Sequence, residues 1–223
     1  MYASAYLGAG RWVVGEKYAA IVVTGPGASY SDPCVSPIGM AVAPSPGSLV
    51  VPIGCSRQGG VQVWAPLTGQ HPYILNHLRD VEAAAFSGHG DTLFVAGRSA
   101  DSTGSMWLYA VDAAAGIVRD SAPIAFFESQ GAFSDIVVDP NGRWLYVANG
   151  YYNLPSDVTV KVFDRNTLRE AAAWHTPRIP ADQGFDLWLW RLVVGADRVL
   201  YLATTDVDVD PARARIYRWS LMP

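Results

Sequence analysis

Apolar residues fall in short runs rich in Val, Tyr, Trp and Leu, and clusters of Gly, Pro, Asp and Ser separate those runs. Extended segments show such alternation because successive side chains point to opposite faces, whereas a helix needs apolar positions three and four apart. Helical periodicity is nearly absent. The pattern predicts an all-β chain of many short strands.

One unit recurs along the chain: Met40–Gly54, Ala83–Gly97, Asp135–Gly150 and Trp190–Thr204, with a fainter copy at Ala3–Gly15. Each copy is an apolar strand, a tight turn such as Asp139-Pro-Asn-Gly142, and a second apolar strand, which predicts a hairpin. The turn residues Gly10, Gly47, Gly90, Gly142 and Asp197 stand about 37, 43, 52 and 55 residues apart, the size of one propeller blade. A third apolar run follows each hairpin, at 18–24, 60–66, 105–112, 158–164 and 214–220, and a fourth follows in the second to fourth copies, for example Arg169–Trp174. Four antiparallel strands repeated in this way predict a β-propeller of about five blades, over residues 1–36, 37–79, 80–131, 132–185 and 186–223, as one domain. The last repeat stops after its third run. Either that blade has three strands, or the chain is part of a larger propeller that another chain or further sequence completes.

The segment Asp139–Asn149, followed by Val158–Ala171, resembles the repeat of the YVTN group of propellers, related to lactonase-like and quinoprotein-dehydrogenase-like proteins. Tyr146-Val147-Ala148-Asn149 matches the signature tetrad at three of four places. The resemblance implies a propeller fold. It also implies two enzymatic alternatives, a lactonase-like hydrolase or a quinone-dependent dehydrogenase. His89, in the Ser87–Gly90 turn, is similar to the Gly-His of WD40-like repeats, but no Trp-Asp pair follows in the third strand, so a turn role is expected.

In a propeller, the loop before the first strand of a blade and the loop after its second strand share one side. The long loops gather there, so a binding site is expected on that side. Residues entering the first strands are Asp80, Glu82, Asp135, Trp188, Trp190 and Arg191. Carboxylates, a guanidinium and indole faces together can orient a small polar ligand or shift carboxyl pKa values for acid/base chemistry. The alternative is that the charges neutralise one another while the indoles pack between blades. Tyr151 and Tyr152, bounded by Gly150 and Pro155, form an aromatic loop tip suited to a protein partner or a sugar, or to roofing the next loop.

Asp206, Asp208 and Asp210 alternate as Ca²⁺ ligands can, but the run lacks the Gly and distal Glu of an EF-hand. Solvation or pairing with Arg213 and Arg215 is the competing reading. Cys34 and Cys55 fall in loops on the same side. They are either a disulfide, which would place the protein outside the cytoplasm, or two thiols. Asp112 and Asp164 recur at the ends of third strands, where a carboxylate caps the following turn. No Ser or Cys is placed beside a His, so no nucleophilic triad is assembled.

Composition narrows the classes further. With 16 Lys+Arg against 20 Asp+Glu and a net charge of -4, no basic surface for nucleic acid or anionic lipid is expected. Apolar stretches are too short for a spanning helix, and residues 1–10 carry no signal-peptide pattern, so the expectation is a soluble protein whose compartment stays open. The leading functional expectation is a non-enzymatic binding or scaffold propeller that uses its long loops for a protein partner or small ligand. The structural alternative is a subunit completed by another chain through open blade edges.

Overall fold

The computed structural model describes residues 3–8, 11–15, 21–24, 31–32, 39–44, 49–53, 61–65, 68, 70–101, 105–124, 134–139, 142–150, 158–177, 187–206 and 213–223. The chain is an all-β propeller, and its described strands form four four-stranded antiparallel sheets and one three-stranded sheet. Two compact units divide it, Met1–Ile124 and Ala125–Pro223.

In the first unit, β1 (Ala3–Gly8), β2 (Arg11–Gly15), β3 (Ile21–Thr24) and β4 (Ser31–Asp32) form one sheet. The second sheet is β5 (Gly39–Val42), β6 (Val50–Ile53), β7 (Val61–Ala65) and β8 (Gln70–Leu75). The third is β9 (Leu78–Phe86), β10 (Thr92–Ser99), β11 (Met106–Asp112) and β12 (Val118–Pro123). In the second unit, the fourth sheet is β13 (Ser134–Val138), β14 (Trp144–Gly150), β15 (Val158–Asp164) and β16 (Glu170–His175). The fifth is β17 (Leu187–Val194), β18 (Val199–Asp206) and β19 (Arg213–Ser220). The expected hairpins and third strands all form. The first sheet also gains a fourth strand of two residues, too short to leave a periodic signal, and the third sheet begins at Leu78 rather than 80.

Alternation places the apolar faces of neighbouring sheets against each other. Within the first unit, Val51, Val63 and Leu75 pack with Leu78, Val81, Leu93, Val95 and Val111 between the second and third sheets. In the second unit, Tyr146, Ala148, Val158, Val160 and Val162 pack against Leu192, Leu200 and Leu202. Full burial of one such side chain is worth about 1.5–3 kcal/mol. An aromatic stack extends this second core: Tyr146 lies 5.7 Å from Trp174, and Trp174 lies 6.0 Å from Trp219. Tyr217 continues it, 6.3 Å from Trp219.

Turns between third and fourth strands repeat one design. Asp112 Oδ1 accepts the N–H groups of Ala114 (3.0 Å) and Ala115 (2.9 Å), and Asp164 Oδ1 accepts those of Asn166 (2.9 Å) and Thr167 (3.2 Å). Each turn then needs a left-handed residue, Gly116 at φ 70° and Leu168 at φ 49°. A Cβ at Gly116 would overlap the Tyr73 ring. That ring also donates its hydroxyl to the Ala113 carbonyl at 3.0 Å, linking the second sheet to the third. Burial pushes the Tyr73 phenol up to about 12, helped by Asp112, so it remains a hydrogen-bond donor at neutral pH.

Urea denaturation provides two checks. Leu202→Ala is expected to lower unfolding free energy by about 2–5 kcal/mol, while Ile216→Ala, 73% exposed, should change it by less than about 0.5 kcal/mol. Asp164→Ala is expected to cost about 0.5–1.5 kcal/mol, and Asp164→Asn, which keeps an acceptor oxygen, should recover most of that loss.

Candidate functional site

The first strand of each sheet lies at a sheet edge, with every second N–H pointing away from its partner strand. What satisfies those groups decides what the entry residues can do. Asp135, on β13, reaches across to the neighbouring sheet, where its Oδ2 accepts the Leu192 N–H of β17 at 2.7 Å. The same oxygen lies 3.9 Å from Arg191 Nε, and Oδ1 accepts the Ile136 N–H at 2.9 Å. The carboxylate is therefore a clamp between two first strands. Burial pushes its pKa up, against the opposing pull of Arg191 and of the Leu192 and Ile136 N–H groups.

The bulge that shapes this contact lies in β17, where Leu189 pairs with Thr204 and Arg191 with Ala203, leaving Trp190 as the extra residue. A second bulge occupies the matching position of β9, where Ala83 pairs with Ala96 and Val81 with Gly97, leaving Glu82 as the extra residue. Bulges redirect a side chain and break the ladder locally. Glu82 meets Arg98 Nε at 3.3 Å, and Asp80 stands opposite Arg98 in the strand register. Neither bulge leaves a mark in the hydrophobic pattern.

Within the second unit, the structure brings Asp135 and Arg191 together, half of the pairing that charge neutralisation foresees. Trp188 lies on β17 opposite Thr205. Glu82 and Asp80 belong to the first unit, beside Arg98. Asp206 closes β18 and stands opposite Arg213 at the start of β19, whereas Asp208 and Asp210 lie outside the described residues. So do Tyr151, Tyr152, Cys34 and Cys55. Among the described residues, no three His, Cys, Asp or Glu side chains cluster in a way that could hold a metal ion.

The tetrad residue Tyr146 has a structural partner that its sequence position did not reveal. Its hydroxyl accepts the Met222 N–H at 3.1 Å, while Trp144 Nε1 donates to the Pro223 carbonyl at 3.1 Å. Leu221 N–H bonds the Arg198 carbonyl at 3.1 Å. Residues Leu221–Pro223 are thus strapped from the fifth sheet onto the fourth. In the first unit, the His77 ring meets Tyr109 at 4.7 Å in a tilted arrangement, and burial lowers the His77 pKa.

No known family model matches the sequence, and no curated protein does. Solved structures do resemble the fold. The chain is similar to hydrazine synthase of Kuenenia stuttgartiensis, with a TM-score of 0.63 and 18% identity over 92% of this chain and 64% of that one. It is also similar to an auxiliary nutrient binding protein from Bacteroides thetaiotaomicron, with a TM-score of 0.53 and 8% identity over 97% of this chain and 56% of that one. Quinohemoprotein alcohol dehydrogenase from Comamonas testosteroni gives a TM-score of 0.50 and 14% identity over 74% of this chain and 29% of that one. The chain spans 64% or less of the length of these three structures. At such identities the likeness establishes fold alone.

The Asp135 clamp carries a pH prediction. A carboxyl whose folded pKa is raised holds its proton longer in the native state than in the unfolded chain. Its contribution is full below the ordinary carboxylate range, about pH 4, and is lost as pH rises through the folded pKa. Asp135→Asn stays neutral throughout. The stability of wild type minus that of Asp135→Asn, measured by urea titration at a series of pH values, should be largest in acid and shrink upward from about pH 4. A difference that grew with pH would contradict the raised pKa.

Proposed function

We propose that this chain is a non-enzymatic binding or scaffold propeller, a single domain across residues 1–223, whose long loops engage a protein partner or small ligand. One observation carries the reading: the Asp135 carboxylate, the best-placed acid or base in the sequence, is occupied by the Leu192 N–H and the Arg191 guanidinium. A group that holds two first strands together cannot leave that contact to shuttle protons without loosening the blade seam. Glu82, engaged by Arg98, is similarly committed. The aromatic pair Tyr151 and Tyr152, bounded by Gly150 and Pro155 in the sequence, suits recognition better than catalysis. The Tyr146–Asn149 tetrad supports kinship with YVTN-type repeats. Its Tyr146 acts in packing and strapping, which gives no separate support to lactonase or dehydrogenase chemistry.

A thermal-shift screen of sugars, nucleotides, amino acids and metal ions on the whole chain tests this. Ligand at about 100 times its Kd stabilises a folded binder by roughly 2.7 kcal/mol. At least one class should raise the midpoint, and Tyr151→Ala with Tyr152→Ala should remove that rise while leaving the ligand-free midpoint nearly unchanged. Lactone hydrolysis by wild type that Asp135→Asn abolishes, with the fold intact, would replace this reading with a hydrolase.

A further inference from the structure

Four of the five sheets carry a fourth strand against the outer edge of the third, and the fifth does not: among the described residues, β19 has β18 on one side and no strand on the other. Strand alternation identifies the groups left facing outward. Leu221 N–H points back to Arg198, so Tyr217 and Trp219 share that inward direction, and the N–H and C=O of Ala214, Ile216 and Arg218 point to the open side. The matching strand β15 uses its equivalent positions to bind β16: Val160 pairs with Trp174 and Val162 with Ala172. Side-chain burial differs in the same sense. Val158, Val160 and Val162 of β15 are fully buried, whereas Ile216 of β19 is 73% exposed.

Charge identifies what fits there. The β19 sequence, Arg213–Ser220, holds three arginines and no acid. Seams between third and fourth strands elsewhere are closed by cross-strand ion pairs, Lys161 with Glu170 at 2.7 Å and Asp112 with Arg119. Two copies of β19 paired edge to edge would gather the arginines of both strands along one seam with no acid between them, an unfavourable charge balance. An acidic strand would instead meet Arg215 on one face of the sheet and Arg218 on the other with opposite charge. We propose that the open edge of β19 is a strand-addition site for an extended, acidic segment of a partner protein, which completes the fifth sheet by main-chain hydrogen bonds to Ala214, Ile216 and Arg218. Its main-chain groups all lie on β19, so the proposal stands independently of Tyr151 and Tyr152.

The test uses the full chain and two synthetic peptides of about ten residues: one combines valine with glutamates on both faces of the extended chain, and the other carries lysine in place of glutamate. By fluorescence anisotropy, the glutamate peptide should bind about tenfold or more tighter than the lysine peptide, with the preference shrinking as salt is raised. Arg215→Glu with Arg218→Glu should invert it. Amide hydrogen exchange on the wild-type chain supplies a readout that needs no variant: the Ala214, Ile216 and Arg218 amides should exchange fast alone and slow on adding the glutamate peptide. Equal binding of both peptides, binding that leaves the three amides unprotected, or no binding at all would overturn the proposal. So would protection of the same amides that rises with protein concentration alone, since a second copy would then be the occupant.

Discussion

A thin antiparallel sheet built from alternating residues has two faces, and each stays apolar until something covers it. In this chain the cover is the next sheet: Val158, Val160 and Val162 pack into the core that Leu192, Leu200 and Leu202 complete. Neither sheet buries that face alone, so the blades stabilise one another in pairs rather than singly. Most other features follow from that dependence. The Tyr146–Trp174–Trp219 stack extends the shared face toward the outer strands, and the Tyr73 hydroxyl performs a similar service between the second and third sheets.

Packing faces together leaves the sheet edges to be settled by other means. Main-chain groups at an edge point away from their own sheet, and an unpaired buried N–H is costly. At the first strands of the second unit, a side chain resolves this, Asp135 accepting the Leu192 N–H beside a bulge. At the end of the fifth sheet, the strap of Leu221–Pro223 ties backbone to Arg198, Tyr146 and Trp144. The outward edge of β19 is the contrasting case, since its repeat partners in the other sheets are closed by a strand.

Much of the architecture was legible in the residue pattern because propeller strands are local and repetitive. The turn residues around Gly90, Gly142 and Asp197 marked three of the hairpins, and the recurrence of Asp112 and Asp164 at the ends of third strands pointed to the turn caps that the structure contains. The two-residue β4 leaves no trace in the residue pattern because a strand that short has no period. The site was far less legible. Asp135 stood out as a charged entry residue, but its partner Leu192 contributes only a backbone N–H, which every residue possesses and no motif announces. Glu82 and Trp190 carry distinctive chemistry in the sequence, while the bulges at these positions arise from ladder mismatches that exist only once strands pair.

Strand positions, hairpin turns, blade-sized spacing and the all-β class were therefore determined by the sequence itself, since alternation and turn chemistry act between residues close along the chain. The commitment of Asp135 to a neighbouring sheet and the strapping of Met222 to Tyr146 were decided only by tertiary structure. Those contacts join residues as far apart as Tyr146 and Met222 through backbone groups and sheet edges, and their geometry depends on how whole sheets stack.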